Sequence, residues 1–503
     1  MKYLLLPLLL LLALQTLADV RLPKLFGDHM VLQRRKPVPI WGWADPGEKL
    51  AVVFNGQTKK IKTGKDGRWR TNLDPMEAGG PFELTVQGKT NSAIVQDVLV
   101  GEVWVCSGQS NMEWVVKNST NSAEEIQKAN YPQIRHFKVQ KATAVQPLSD
   151  VSGEWQVCSP ASVSDFTAVG YFFARDLARK LNVPIGLMNT SWGGTHSETW
   201  TSREAMESDS GLRGAVARIP AFSDTLTSIK NKPNLYGTLL YNAMINPLIP
   251  MAMQGVIWYQ GESNAGRAYQ YQRTFPLLIQ DWRTGWNRQE PSAGSFPFLF
   301  VQLANFTASN GNSQKGSTWA ELREAQTMTL QLPNTGMAVT SDIGEPKDIH
   351  PKNKQDVGKR LAAEAMRVVY KAENTQTTSP EASPGRNGAP EASPGPMFGE
   401  LKTEGNRAIL TFKTVGSGLI TPDKYGYLKG FEVAGSDQKF YFARAEIQGN
   451  TVIVYCPEVA NPVAVRYGWA DENGELNLYN KEGFPAVPFR TDTWKGITEG
   501  KRF

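Results

Sequence analysis

Reactive side chains are scarce in this chain, and their placement narrows the chemistry. The apolar run Val103-Trp104-Val105-Cys106-Ser107 stops at Gly108 and is followed by Gln109-Ser110-Asn111-Met112, which reads as a buried strand ending in a tight turn with a serine beyond it. Folds that alternate strands and helices present reactive groups at such turns, so Ser110 is the candidate nucleophile. Met112 stands where the hydrolase elbow Gly-x-Ser-x-Gly has its second glycine, which disfavours that strained elbow and its usual fold. Taken alone, the stretch equally describes a strand-end turn with a capping serine.

A serine hydroxyl at neutral pH needs an imidazole to take its proton and return it to the leaving group, and the imidazole needs an orienting carboxylate. With four histidines the search is nearly an elimination. His29 and His136 lie away from any strand-end loop and read as structural. In Asp348-Ile349-His350-Pro351 a carboxylate precedes an imidazole by two residues in a proline-ended loop. His350 fits the base, with Asp348 or Asp342 as its carboxylate. His196 is the rival base and ranks as a pocket-lining group. Acyl transfer also needs donors aimed at the developing oxyanion. Gly193-Gly194 can bring backbone amides close to a substrate, and Gln260 or Asn264 can add a side-chain amide.

These residues need elements to hold them. Residues 19–99 offer short alternating segments such as Leu50-Ala51-Val52-Val53-Phe54, separated by turns such as Asn55-Gly56, and read as an N-terminal β-sandwich domain. Trp41, Trp43 and Trp69 read as core packing, with a sugar platform as the alternative. Over residues 100–370 strands alternate with helices: strands at Val183–Met188, Gly255–Tyr259 and Phe298–Val301, helices at Gly170–Lys180 and Asp356–Tyr370. That alternation implies a parallel sheet whose sites lie beyond the carboxyl ends of its strands, where the loops bearing Ser110, Gly193 and Gln260 would meet. Residues 371–398 hold a Pro-rich near-repeat that cannot build a core. Residues 399–503 alternate again and form a C-terminal β domain.

The composition excludes several classes. The 503 residues, 41% apolar, suffice for two or three globular domains. Lys2, the apolar run Leu4–Leu14 and the small residues before Asp19 make residues 1–18 a secretory signal peptide, and no later segment reaches membrane-spanning length. The expected protein is exported, periplasmic or secreted. Lys+Arg 54 against Asp+Glu 48 leave a mild +6 with no basic stripe, so no nucleic-acid partner is expected. Three cysteines, Cys106, Cys158 and Cys456, lack metal-ligand spacing. A Cys106–Cys158 bridge and buried unpaired thiols are both compatible with export. No metal or organic cofactor is expected.

Four separated blocks occur in one order: Gly108-Gln109-Ser110-Asn111-Met112, Ser191-Trp192-Gly193-Gly194-Thr195, Trp258-Tyr259-Gln260-Gly261-Glu262-Ser263-Asn264 and Asp348-Ile349-His350-Pro351. Together with Asn477–Pro485 and Pro488–Asp492, they resemble the sialate O-acetylesterase family from Val20 to Asp492, outside the Pro-rich insert. The resemblance implies a GDSL/SGNH-type serine esterase domain, a flavodoxin-like three-layer α/β fold with a parallel sheet, flanked by β domains. It implies Ser110 as nucleophile, His350 as base and the amides of Ser110 and Gly193 as the oxyanion hole, with Gln260 at the block where related enzymes often carry asparagine. Asn111, Trp192 and Glu262, within these blocks, would line the substrate site with His196, and Arg267 joins them by its closeness to Gln260-Gly261-Glu262. The wider superfamily places its acid three residues before the histidine; that position is Lys347, so Asp348, Asp342 or a backbone carbonyl can serve.

The expected activity is hydrolysis of acetyl esters of sialic acids through an acetyl-enzyme. The alternatives are an acetylesterase on xylan or pectin, and a non-catalytic glycan-binding surface protein using its fourteen tryptophans.

Overall fold

The computed structural model describes residues 19–217, 232–289, 291–307, 313–370, 395–472 and 475–503. The expected signal peptide and most of the Pro-rich insert lie outside them. Seven strands precede the serine: β1 (Val31–Gln33), β2 (Val38–Trp43), β3 (Lys49–Phe54), β4 (Gln57–Lys62), β5 (Arg68–Leu73), β6 (Gly79–Gln87) and β7 (Ser92–Gly108). In β3 Leu50, Val52 and Phe54 are buried while the residues between them are not, the period-2 pattern of a sheet with one wet face. It pairs antiparallel with β4 and β6, while β2 and β5 form a separate ribbon. Trp69 is buried in that ribbon and Trp41 packs edge-on against Phe26 at 4.6 Å.

Strand β7 joins two architectures. Over its first nine residues it pairs antiparallel with β6, and from Glu102 onward it pairs in parallel with two strands of a different sheet. Its side chains alternate in exposure up to Asp97 and are buried without a break from Val98 to Gly108. A strand covered on both faces loses its polar alternation, and that change marks the crossing. The expected boundary between residues 99 and 100 therefore falls inside one continuous 17-residue strand.

Six more strands complete the second sheet: β8 (Tyr131–Lys138), β9 (Trp155–Cys158), β10 (Ile185–Ser191), β11 (Gly255–Tyr259), β12 (Phe298–Val301) and β13 (Thr335–Ala338). Their order is β13-β12-β11-β7-β10-β8-β9, parallel except for β9 at the edge. Trp104 on β7 meets Phe173 of the helix Ala168–Leu181, whereas Trp258 meets Phe275 and Trp282 of the helix Ala268–Gln289. Trp258 lies level with Ser107, one step out of phase with Trp104, so the two helices cover opposite faces. The chain is thus a mixed α/β protein with a central, mainly parallel sheet and additional β-sheets. After β7 the chain builds toward β10 and then returns to the other side at β11, and a reversal of this kind puts a crevice beyond the carboxyl ends of the strands.

Beyond residue 394, two four-stranded antiparallel sheets enclose their own core around Leu410, Val433, Val452, Val454 and Tyr467. Fully buried Arg323, in the helix Thr318–Met328, ties them to the central sheet by donating to the carbonyls of Leu303 and Ala470, both at 2.8 Å. All three cysteines are buried and free, so Cys106 and Cys158 are not bridged. Burial pushes the Cys158 thiol up to about 12. Among the described residues no helix is long and apolar enough to cross a membrane.

Candidate active site

Gly108 ends β7 at φ +132°, and a Cβ there would lie 2.1 Å from the Tyr259 carbonyl oxygen. Only glycine lets β7 stop this close to β11 and turn. The Gln109 amide donates to that same carbonyl at 3.0 Å, and the Gln109 side-chain oxygen accepts from the amides of Gly261 and Ser263. The turn is thereby pinned to the loop after β11. Ser110 then opens the short helix Ser110–Glu113, half-buried at the crevice.

His350 arrives from 240 residues away and places Nε2 2.8 Å from Ser110 Oγ. Trp114 stacks on the imidazole with centroids 5.1 Å apart and planes 18° from parallel, which fixes the ring. One carboxylate faces the other nitrogen: Asp348 accepts the His350 backbone amide at 2.9 Å and stands 3.6 Å from Nδ1, within ion-pair range but too long for a hydrogen bond. Asp342 is engaged elsewhere, by Arg360 at 2.6 and 2.8 Å and by the Tyr479 hydroxyl at 3.1 Å. Burial, and then the positive charge of Lys354, hold the His350 imidazole below its ordinary value, with Asp348 opposing. That lowering favours the neutral form of the ring.

The loop after β10 closes the other side. A Cβ on Gly193 would lie 3.2 Å from Ser110 Cβ, so this backbone abuts the serine. Its amide is not idle: it donates to Glu113 Oε2 at 2.7 Å, and Glu113 Oε1 takes the Lys141 ammonium at 2.5 Å. Lys141 in turn stands 5.3 Å over the Trp192 ring.

Residues 100–367, which carry Ser110, Gly193, Asp348 and His350, match the family model described as carbohydrate esterase, sialic acid-specific acetylesterase. The chain belongs to this family. It is 35% identical to the human sialate O-acetylesterase over 393 residues, covering 72% of this chain and 73% of that one. The mouse sialate O-acetylesterase is 34% identical over 410 residues, covering 72% and 75%. Among solved structures, a carbohydrate acetylesterase from Xanthomonas citri superposes with a TM-score of 0.83 at 41% identity, over 95% of this chain and all of that one. The protein is a hydrolase of acetyl esters on carbohydrates.

Several residues of the esterase expected at the substrate turn inward instead. Gln260 is fully buried; its amide donates to Asn264 Oδ1 at 2.7 Å and to the Thr195 carbonyl at 3.2 Å, and its oxygen accepts from Tyr271 at 3.0 Å. Asn264 passes on to Glu198 at 2.9 Å, and Arg267 pairs with that buried carboxylate at 2.6 Å while covering the Phe503 ring. His196 meets the edge of Phe503, with Nδ1 unpartnered, and burial lowers its basicity. Glu262 and Asn111 bond to each other at 2.6 Å behind the serine. Trp192 is half-buried at the rim.

Four groups at the site escape a reading of the sequence: Glu113, Trp114, Lys141 and Lys354. Only the first two carry a local signal, since three or four residues past Ser110 they share its helical face. Among the described residues no group of three or more His, Cys, Asp or Glu side chains could hold a metal ion.

Proposed function

We propose that Ser110 attacks the acetyl carbonyl carbon while His350 Nε2 takes the hydroxyl proton, and that His350 then protonates the departing sugar oxygen. Water, activated by the same nitrogen, hydrolyses the acetyl-enzyme to acetate. The single observation that carries this reading is the 2.8 Å contact between Nε2 and Oγ at the crevice where the sheet order reverses. Asp348 steadies the imidazolium from 3.6 Å as a charge rather than as a hydrogen-bonded partner. The amides of Ser110 and Gly193 receive the oxyanion once Glu113 turns away. In this reading Gln260, Asn264 and Arg267 brace the Gly193 loop rather than touch the sugar. The frame is a flavodoxin-like three-layer domain of SGNH type flanked by β domains, in an exported protein.

The favoured substrate is an O-acetylated sialic acid, supported by the names of the human and mouse relatives. A second reading, an acetyl ester on a neutral polysaccharide such as xylan, is favoured by Arg267. The guanidinium that would clasp a sialic acid carboxylate is already committed to Glu198 at 2.6 Å. Acetate release from acetylated sialic acid and from acetylated xylan, beside Ser110→Ala and His350→Ala, tests both layers. Each variant is expected to lose on the order of 10³ or more in rate on whichever substrate the wild type accepts. Activity surviving in both variants overturns the mechanism, and activity on xylan alone overturns the sialic acid reading.

A further inference from the structure

Behind the Ser110–His350 pair lies a buried polar chain, Lys354–Asn111–Glu262. Asn111 is 1% exposed and Lys354 not at all. The Asn111 amide group fills its positions on three separate segments: Nδ2 donates to the Ile349 carbonyl at 3.0 Å and to Glu262 Oε1 at 2.6 Å, and Oδ1 accepts from Lys354 Nζ at 2.5 Å. Ile349 immediately precedes the base and Asn111 immediately follows the nucleophile. One side chain therefore joins the two loops whose separation sets the Nε2–Oγ distance.

The cation that holds this amide is costly to keep there. Lys354 is the first residue of the helix Lys354–Val368, where the helix dipole opposes a positive charge, and burial pushes its ammonium down to about 7 even though Glu262, Asp348 and Glu345 oppose that lowering. Glu262 Oε2, the nearest source of compensation, is buried without a hydrogen-bond partner. The Trp114 ring at 5.6 Å and the Tyr259 ring at 5.4 Å supply cation–π contacts in place of water. A well-packed apolar residue would serve stability at least as well. Trp114 also stacks on His350, so the ammonium touches both supports of the reactive pair.

We propose that Lys354, acting through Asn111, is a positioning residue for the Ser110–His350 pair: it locks the amide that ties the serine's helix to the loop of the base. This rests on the reading of Ser110 as nucleophile and His350 as base. A second consequence is electrostatic. The charged groups acting on His350 are Lys354 and Asp348, while Glu262 from the loop after β11 and Asp348 and Glu345 from the loop of the base act on Lys354. Lys354 is the one whose charge opposes an imidazolium. Its removal raises the basicity of His350, so the acid limb of the kcat/KM profile moves to higher pH.

Lys354→Met removes charge and hydrogen bond together, whereas Lys354→Gln keeps a donor for Asn111 and removes only the charge. With folding checked by circular dichroism and thermal melting, Lys354→Met is expected to lose on the order of 10² in kcat with KM little changed, because the loops drift. Lys354→Gln should recover most of that loss. Both should show the acid limb displaced upward. Equal kcat losses in the two variants with an unmoved limb would reduce Lys354 to a structural role and overturn the proposal, as would wild-type behaviour in both. If Lys354→Met does not fold, Lys354→Gln decides by its acid limb. Ser110→Ala and His350→Ala run alongside separate the layers: if they stay active, the reading of the mechanism fails first; if they are silent and both Lys354 variants match wild type, only this proposal fails.

Discussion

The two sides of the crevice are built on opposite rules. Toward β11, Gln260, Asn264, Glu198 and Arg267 form a closed network in which fully buried Glu198 receives both Asn264 and Arg267. Toward the loop of the base, the Ser110–His350–Asp348 line is half-exposed, with one contact at 2.8 Å and the next stretched to 3.6 Å. Low dielectric and complete bonding make the first side stiff. Incomplete bonding on the second leaves the His350 imidazole free for the proton transfers proposed for it. Residues adjacent to the proposed nucleophile and base in sequence thus serve mostly to hold backbone still, and chemistry is left to the few groups whose bonding is incomplete.

Arg267→Ala attacks the stiff side and carries the largest expected effect. It strands Glu198 at 0% exposure without its cation, and breaking such a buried pair costs about 3–5 kcal/mol. Denaturant unfolding should show the loss as a lower midpoint at unchanged slope. A variant within experimental error of the wild type would mean that this network is not what braces the Gly193 loop.

Asp348→Asn probes the loose side, and its effect should be smaller than the roughly 10⁴-fold seen where a triad carboxylate is hydrogen-bonded to the ring. At 3.6 Å the carboxylate contributes charge without tautomer control. A fall in kcat on the order of 10–10² is expected. The sign of the pH effect follows from the causes of the His350 shift. In the wild type burial and Lys354 lower the imidazole, so it stays neutral, and the enzyme active, to a pH below the ordinary value of about 6.5. Asp348 works against that lowering, so its loss moves the acid limb further down, opposite to the displacement expected from Lys354→Met. A loss of 10⁴ would show Asp348 to be a bonded triad member after all, and an upward displacement would overturn the sign assigned to its charge.

The same contrast explains what could be read from the chain. The pairing of Ser110 with His350 was legible because strand-end turns and a shortage of histidines leave few alternatives, and the strands Gly255–Tyr259 and Phe298–Val301 lie where continuous apolar runs place them. The strand expected at Val183–Met188 runs Ile185–Ser191, carried on through Asn189, Thr190 and Ser191, polar residues that are buried because the sheet covers both faces there. Asn111, Glu262 and Gln260 sit in the reactive blocks yet face inward, and adjacency in sequence does not tell which way an amide turns. Lys354 carried no signal at all, since a lysine opening a helix reads as solvated. What was illegible is long-range: it depends on which loops the sheet order brings together, as with Asn111 and Lys354, 243 residues apart.

Glu113 belongs to neither side. Its carboxylate occupies the Gly193 amide at 2.7 Å and is itself held by Lys141 at 2.5 Å, so it takes the donor proposed for the oxyanion. A substrate carbonyl must displace a charged acceptor, and charge-assisted bonds to backbone amides are stronger than neutral ones. Glu113→Ala should therefore raise kcat/KM by a modest factor, roughly the three- to tenfold that about 1 kcal/mol of released competition allows, with stability little altered at this partly exposed position. Lys141→Ala, which frees Glu113 without deleting it, should give a smaller change. Steady-state kinetics on a small acetyl ester would read both, since a small substrate avoids contacts at the Trp192 rim. A fall in kcat/KM for Glu113→Ala at unchanged melting temperature would show instead that the carboxylate aligns the Gly193 amide, and would move Glu113 to the stiff side of the crevice.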